Sequence, residues 1–121
     1  MRILLIAEQC NPEMTSVPLV SWYYTMALRE CEDVHLVTQV RNRPSLLNAG
    51  LVEGKDFSAI DSEAVARPVW RLASFLRGGK GKGWTTVMAM SSISYYYFER
   101  LLWKQFGSAI RAHEYDVVHR L

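Results

Sequence analysis

The chain has 121 residues, half of them hydrophobic and 21% charged, with a formal net charge of +2. That length holds one domain with a modest core, and that composition excludes a disordered chain. The charge gives no footing for a nucleic-acid partner, and no apolar run approaches the ~20 residues that span a bilayer.

The first strand is expected over Arg2 to Glu8, and Arg2 is followed at once by strand-like residues that meet polar Glu8 and Gln9. That leaves no room for a signal peptide. A polar loop from Glu8 to Ser16 follows. Helix one is expected over Pro18 to Cys31, capped by Thr15 or Ser16, with Pro18 in its first turn. Val20, Tyr23, Tyr24, Ala27, Leu28 and Cys31 recur at helical spacing and are expected to form its buried stripe. Strand two is Val34 to Val40. Arg41 to Lys55 is polar, holds Pro44, Gly50 and Gly54, and reads as a long loop with a turn at Leu46-Leu47.

Strand three is short, Phe57 to Ile60, and Asp61 caps what comes next. Helix two opens at Pro68, faces the core with Val69, Leu72, Ala73 and Leu76, and stops at Gly78-Gly79. A basic glycine loop follows. Trp84 to Met90 reads as a short helix, and Ser94 as the cap of a long helix to Ala112 with the stripe Tyr95, Phe98, Leu102, Phe106, Ala109 and Ile110. Strand four is Asp116 to Leu121. Strand, loop, helix and parallel strand in succession define an α/β, Rossmann-like, doubly wound parallel sheet of about four strands in one domain. In such sheets ligands bind past the carboxyl ends of the strands, which directs attention to Glu8–Ser16 and to the end of strand four.

Asn11, Pro12, Glu13, Met14, Thr15 and Ser16 are the candidate ligand loop. Amides at the start of helix one would favour an anion. The loop has no glycine, so the dinucleotide fingerprint is absent. Cys10 begins no C-x5-R anion loop, because Ser16 stands where the arginine belongs, and it reads as a small apolar residue. Gly78-Gly-Lys-Gly-Lys-Gly83 is not a P-loop, since Trp84 replaces the Lys-Ser/Thr pair. Glu8 and Asp61 lack the second acid and the lysine of a receiver domain. Arg67, Arg71, Lys80 and Lys82, with Trp84, are a candidate contact with an acceptor or with an anionic membrane surface. His119, at the end of strand four, is the candidate catalytic residue, with a core histidine as the alternative; His35 is structural. Cys10 and Cys31 are read as reduced thiols of a cytoplasmic protein. No metal and no cofactor is assigned.

Met1-Arg-Ile-Leu-Leu-Ile-Ala7, the loop with Asn11-Pro12-Glu13, Val34-His-Leu-Val-Thr38 and Tyr115-Asp-Val-Val-His119 together resemble the amino-terminal domain of a GT-B glycosyltransferase of the family 4 type. The resemblance implies two Rossmann-like domains about a cleft. It implies transfer of a sugar from a nucleotide-sugar co-substrate to an acceptor hydroxyl, with retention of stereochemistry. This domain would supply the acceptor side and the loop would approach donor phosphates. Two departures stand out. The family's Gly-Gly pair is replaced within Glu13-Met-Thr-Ser-Val17, and Leu121 occupies the second place of an H-x-H pattern begun by His119. The carboxy-terminal donor-binding domain would lie beyond Leu121. The chain therefore reads as a truncated piece, inactive alone and prone to self-association at strand four. The alternative is a non-catalytic Rossmann-like binding module, or one chain of a split protein.

Overall fold

The computed structural model describes residues 1–61 and 84–121. Strand β1 (Arg2–Ile6) leads into helix α1 (Val17–Cys31), then β2 (Asp33–Gln39), a 3-10 turn (Val40–Asn42) and helix α2 (Arg43–Asn48). After β3 (Phe57–Ile60), helix α3 (Trp84–Arg111) precedes β4 (Val117–Arg120). The four strands form one sheet in the order β3-β2-β1-β4, with every pair parallel. The α/β, Rossmann-like fold is thus established.

Strand alternation explains why both faces are covered. Ile3, Leu5, Val34, Leu36 and Phe57 point to one side, where Cys10, Leu46 and Leu51 join them and Trp22 and Leu28 of α1 pack. Leu4, Ile6, Val37 and Ile60 point to the other, against Phe98, Leu102 and Phe106 of α3. Fully burying side chains such as Phe57 or Phe98 contributes about 1.5–3 kcal/mol each. His119 pairs with Leu5, so it shares the α1 side of the sheet with Val117; Val118 and Arg120 face α3.

Several expectations change. β1 ends at Ile6 rather than Glu8, although Ala7 N–H still bonds Val37 O and Gln39 N–H bonds Glu8 O, at 2.9 and 3.4 Å. The region 41–55 is not simply loop. Pro44 suits a first turn, and α2 closes with Gly50 at φ 94°, its N–H bonded to Leu47 O and that of Leu51 to Leu46 O. That pair of bonds is a Schellman stop, which needs a residue tolerant of positive φ. Ser94 lies inside a helix rather than at its start: α3 runs unbroken from Trp84 for 28 residues, so the two expected helices are one. Within its stripe, Tyr95 is exposed while Phe98, Leu102 and Phe106 are buried. The expected helix at 68–77 and the glycine loop lie outside the described residues.

The largest correction concerns α1. Its buried face is Pro18, Ser21 and Thr25, whereas Val20, Tyr23 and Tyr24 are 67%, 65% and 41% exposed, and Ala27 and Cys31 are also exposed. The helix has two coherent faces. The docked face combines these small residues with Trp22 and with Leu28, the one residue of the expected stripe that packs on the core; the Thr25 hydroxyl is satisfied by Ser21 O at 2.7 Å, and Val20, Tyr23 and Tyr24 turn outward. Among the described residues, no helix is long and apolar enough to cross a membrane.

Candidate functional site

The strand order places the reversal of winding between β1 and β4. In open α/β sheets such a reversal point lies beside the crevice at the carboxyl ends of the strands, where ligands bind. The loop between β1 and α1 forms one wall. It is held rigidly, and its hub is the Glu8 carbonyl, which accepts from Thr38 Oγ1 and Asn42 Nδ2, both at 3.2 Å. Asn42 is 1% exposed, also donates to Thr38 Oγ1 at 2.9 Å, and accepts from Asn11 Nδ2 at 3.3 Å. Asn11 Oδ1 in turn accepts from Glu13 N–H at 2.9 Å, turning the chain toward Ser16.

The two acids near the loop are already engaged. Gln39 Nε2 donates to Glu8 Oε1 and Ser45 Oγ donates to Glu13 Oε2, each at 2.6 Å. Cys10 is fully buried, with Sγ 3.7 Å from Thr25 Oγ1, and burial pushes its thiol up to about 11. A protonated, enclosed thiol is no nucleophile at neutral pH. Cys10 is therefore a packing residue.

Ser16 departs from ordinary backbone geometry. Its φ is 63° and ψ is −136°, close to a region that essentially only glycine populates without strain. It is the N-cap of α1, yet its side chain makes no capping bond, which corrects the expected role of Thr15 or Ser16. Its carbonyl accepts from Leu19 and Val20 N–H at 3.1 and 3.0 Å, and Pro18 has no N–H to offer. The helix start therefore keeps few free amides for an anion.

Beside Ser16 lies a crevice of about 350 Å³, lined by Ser16, Val17, Val20, Ser21, Tyr24 and Leu121. Among the described residues no cation lines it. Asn11 is buried and Pro12 half-buried beneath the loop, while Glu13, Met14, Thr15 and Ser16 are exposed; of the six, Ser16 alone lines the crevice. His119 does not line it either. It sits behind Tyr24, with Nε2 3.4 Å from Tyr24 Oη, ring centroids 5.6 Å apart and planes at 22°. Arg67, Arg71, Lys80 and Lys82 lie outside the described residues, as does the Trp84 side chain.

Sequence reasoning missed Val17, Val20, Ser21, Tyr24 and Leu121 as crevice residues, and Gln39, Asn42 and Ser45 as loop supports. The signal for the first group was the small-residue face Pro18-Ser21-Thr25, which competes with the apolar stripe for the sheet. Asn42 and Ser45 were hidden by the reading of 41–55 as loop. His35 is structural: it is half-buried, with Nδ1 3.2 Å from Lys55 O and Nε2 2.8 Å from Ser58 Oγ. Among the described residues, no group of three or more His, Cys, Asp or Glu is gathered to hold a metal ion. No family model, no curated protein and no solved structure matches this chain.

Proposed function

We propose that this chain is the acceptor side of a glycosyltransferase, taking the hydroxyl compound that receives a sugar from a nucleotide-sugar donor. The observation that carries the reading is the crevice at the reversal point of the sheet, where open α/β sheets bind ligands. Its chemistry favours the acceptor over the donor. The walls are mostly apolar, three hydroxyls (Ser16, Ser21 and Tyr24) offer hydrogen bonds, and among the described residues no cation lines the crevice to meet a diphosphate. Ser16 adds support. It takes up a glycine-like backbone within Glu13-Met-Thr-Ser-Val17, the stretch where the resemblance leads one to expect the glycine pair.

On this reading His119 is a positioning residue. It would orient the Tyr24 hydroxyl toward an acceptor rather than touch the reacting atoms. The donor-binding domain, the membrane contact of the basic segment and a cytoplasmic site remain parts of the proposal. The test is sugar transfer from uridine, guanosine and adenosine diphosphate sugars by the intact gene product, with Ser16→Trp filling the crevice. Turnover that Ser16→Trp abolishes supports the reading; no turnover with any of these donors counts against it.

A second reading has its own observation. Glu8 and Glu13 each have one carboxylate oxygen engaged, by Gln39 and Ser45, and the Cys10 thiol is protonated and buried, so the loop's thiol is no nucleophile. That state suits a non-catalytic binding module, in which the crevice holds a ligand and does no chemistry.

A further inference from the structure

Helix α3 buries one stripe and presents another. Phe98, Leu102 and Phe106 face the sheet. Tyr96, Arg100, Trp103, Lys104 and Arg111 recur at spacings of three, four and seven on the opposite side, so they share one outward face. Tyr96 and Trp103 are 70% and 48% exposed, and the three cations are exposed with them. Among the described residues none of the three cations has an ion-pair partner. Two acids stand at the margins. Glu99 reaches Arg120 at 3.8 Å, and Asp61 borders the same hollow as Lys104 at the end of β3. The row itself carries no negative charge. Trp103 is seated on its own helix. Its ring lies over Gly107, where a Cβ would come within 3.2 Å of Trp103 Cε3.

We infer that the outward face of α3 docks an acidic polypeptide segment, its carboxylates set against Arg100, Lys104 and Arg111. Charge is the first argument. The three cations form a row ~16 Å long at the rise of an α-helix, and a row of unopposed positive charge steers and orients a segment of opposite sign. Composition is the second. Tryptophan, tyrosine and arginine are the residue types that carry most of the energy of protein interfaces, and a guanidinium takes a carboxylate through two parallel hydrogen bonds. Order is the third: a tryptophan already seated on its helix loses little freedom when a partner covers it. The same composition argues against a lipid surface. Helices that lie on membranes turn an apolar stripe into the lipid, whereas the apolar stripe of α3 is buried against the sheet. Polybasic attachment uses about four to eight cations, more than this row supplies. The face lies across the sheet from the α1 crevice, so the inference goes beyond the transferase reading and stands without it.

The experiment is fluorescence anisotropy of a fluorescein-labelled helical peptide, with glutamate at every fourth position and alanine elsewhere, titrated with the whole chain. Circular dichroism confirms that each variant folds. Saturable binding that weakens with added salt is expected. Arg100→Gln combined with Lys104→Gln alters side chains that already face solvent, so folding should survive while the dissociation constant rises about tenfold or more. Trp103→Ala should raise it about fivefold or more, which a purely electrostatic attraction would not do. Arg43→Gln removes a cation of α2, on the other side of the sheet, and should leave binding unchanged. The inference is overturned by a chain that does not bind the peptide at low salt, or by Arg43→Gln weakening binding as much as the α3 variants. It is equally overturned by Trp103→Ala binding as the parent does, or by phosphatidylserine vesicles displacing the peptide from this face.

Discussion

Tyr24 of α1 and His119 of β4 lie face to face, with ring centroids 5.6 Å apart and the hydroxyl 3.4 Å from Nε2. This pair fastens the helix to a strand it would otherwise meet only at the crevice. Stacked aromatic pairs contribute about 0.5–1.5 kcal/mol beyond area burial. A double-mutant cycle of Tyr24→Ala and His119→Ala, read by urea unfolding, should therefore return a coupling in that range. A coupling near zero would show that the stack is incidental.

Asn42 carries the loop. Replacing it with Leu keeps the volume roughly but strands Asn11 Nδ2 and removes donors from Glu8 O and Thr38 Oγ1. Buried groups left unsatisfied cost about 1–3 kcal/mol each, so a loss of about 3 kcal/mol is expected. Amide exchange should rise in residues 8–16 more than in α3. Uniform exchange across the chain would contradict the assignment of Asn42 as the local tie.

Ser16 holds φ at 63° without a compensating cap bond. Ser16→Gly relieves this strain and should stabilise the fold by about 1 kcal/mol, whereas Ser16→Val should destabilise it by more. Thermal denaturation of the two variants decides the matter. A Gly variant less stable than the parent would refute the strain.

Cys10 and Cys31 differ in environment, and alkylation should separate them. Cys31 is exposed and should react with iodoacetamide in the native state, while Cys10 should react only on unfolding. The thiol of Cys10 is raised by burial from 9.0 to about 11. The unfolded chain therefore releases this proton first as pH rises. The stability tied to the neutral thiol is complete below about pH 9 and is lost toward pH 11, by about 2–3 kcal/mol. Cys10→Ala should flatten that alkaline loss, in denaturant melts across pH 8–11.

His35 behaves in the opposite sense. Burial lowers it below its usual 6.5, opposed mainly by the Lys55 carbonyl. The unfolded chain binds this proton first as pH falls. Stability tied to neutral His35 is thus complete above pH 6.5 and is lost as pH drops below it. His35→Gln should reduce the dependence of the unfolding midpoint on pH between 5 and 7, and an unchanged slope would rule His35 out as its source.

The sheet was legible because its strands are continuous apolar runs, and runs of that kind belong to strands buried on both sides. Ile3–Ile6 and Val34–Val37 needed no further information. The stripe Phe98-Leu102-Phe106 was legible for the same kind of reason, since it alone among the faces of α3 is uniformly apolar. Two things were not. α2 has only six residues, and helices that short are set by their ends rather than by periodicity. α1 offers two periodic faces, and periodicity reports that a face exists without saying what it faces.

By itself, then, the sequence determined the class of fold, the order of its strands and the loop at which a ligand would be sought. Local propensity and hydrophobic period act on neighbours along the chain, so they can be read there. The tertiary structure decided which face of α1 is buried, which side of the sheet His119 takes, and which side chains meet in the crevice. Asn11 with Asn42, Ser45 with Glu13, and Tyr24 with His119 are separated by tens of residues. Only the packing of a parallel sheet brings them within reach of one another.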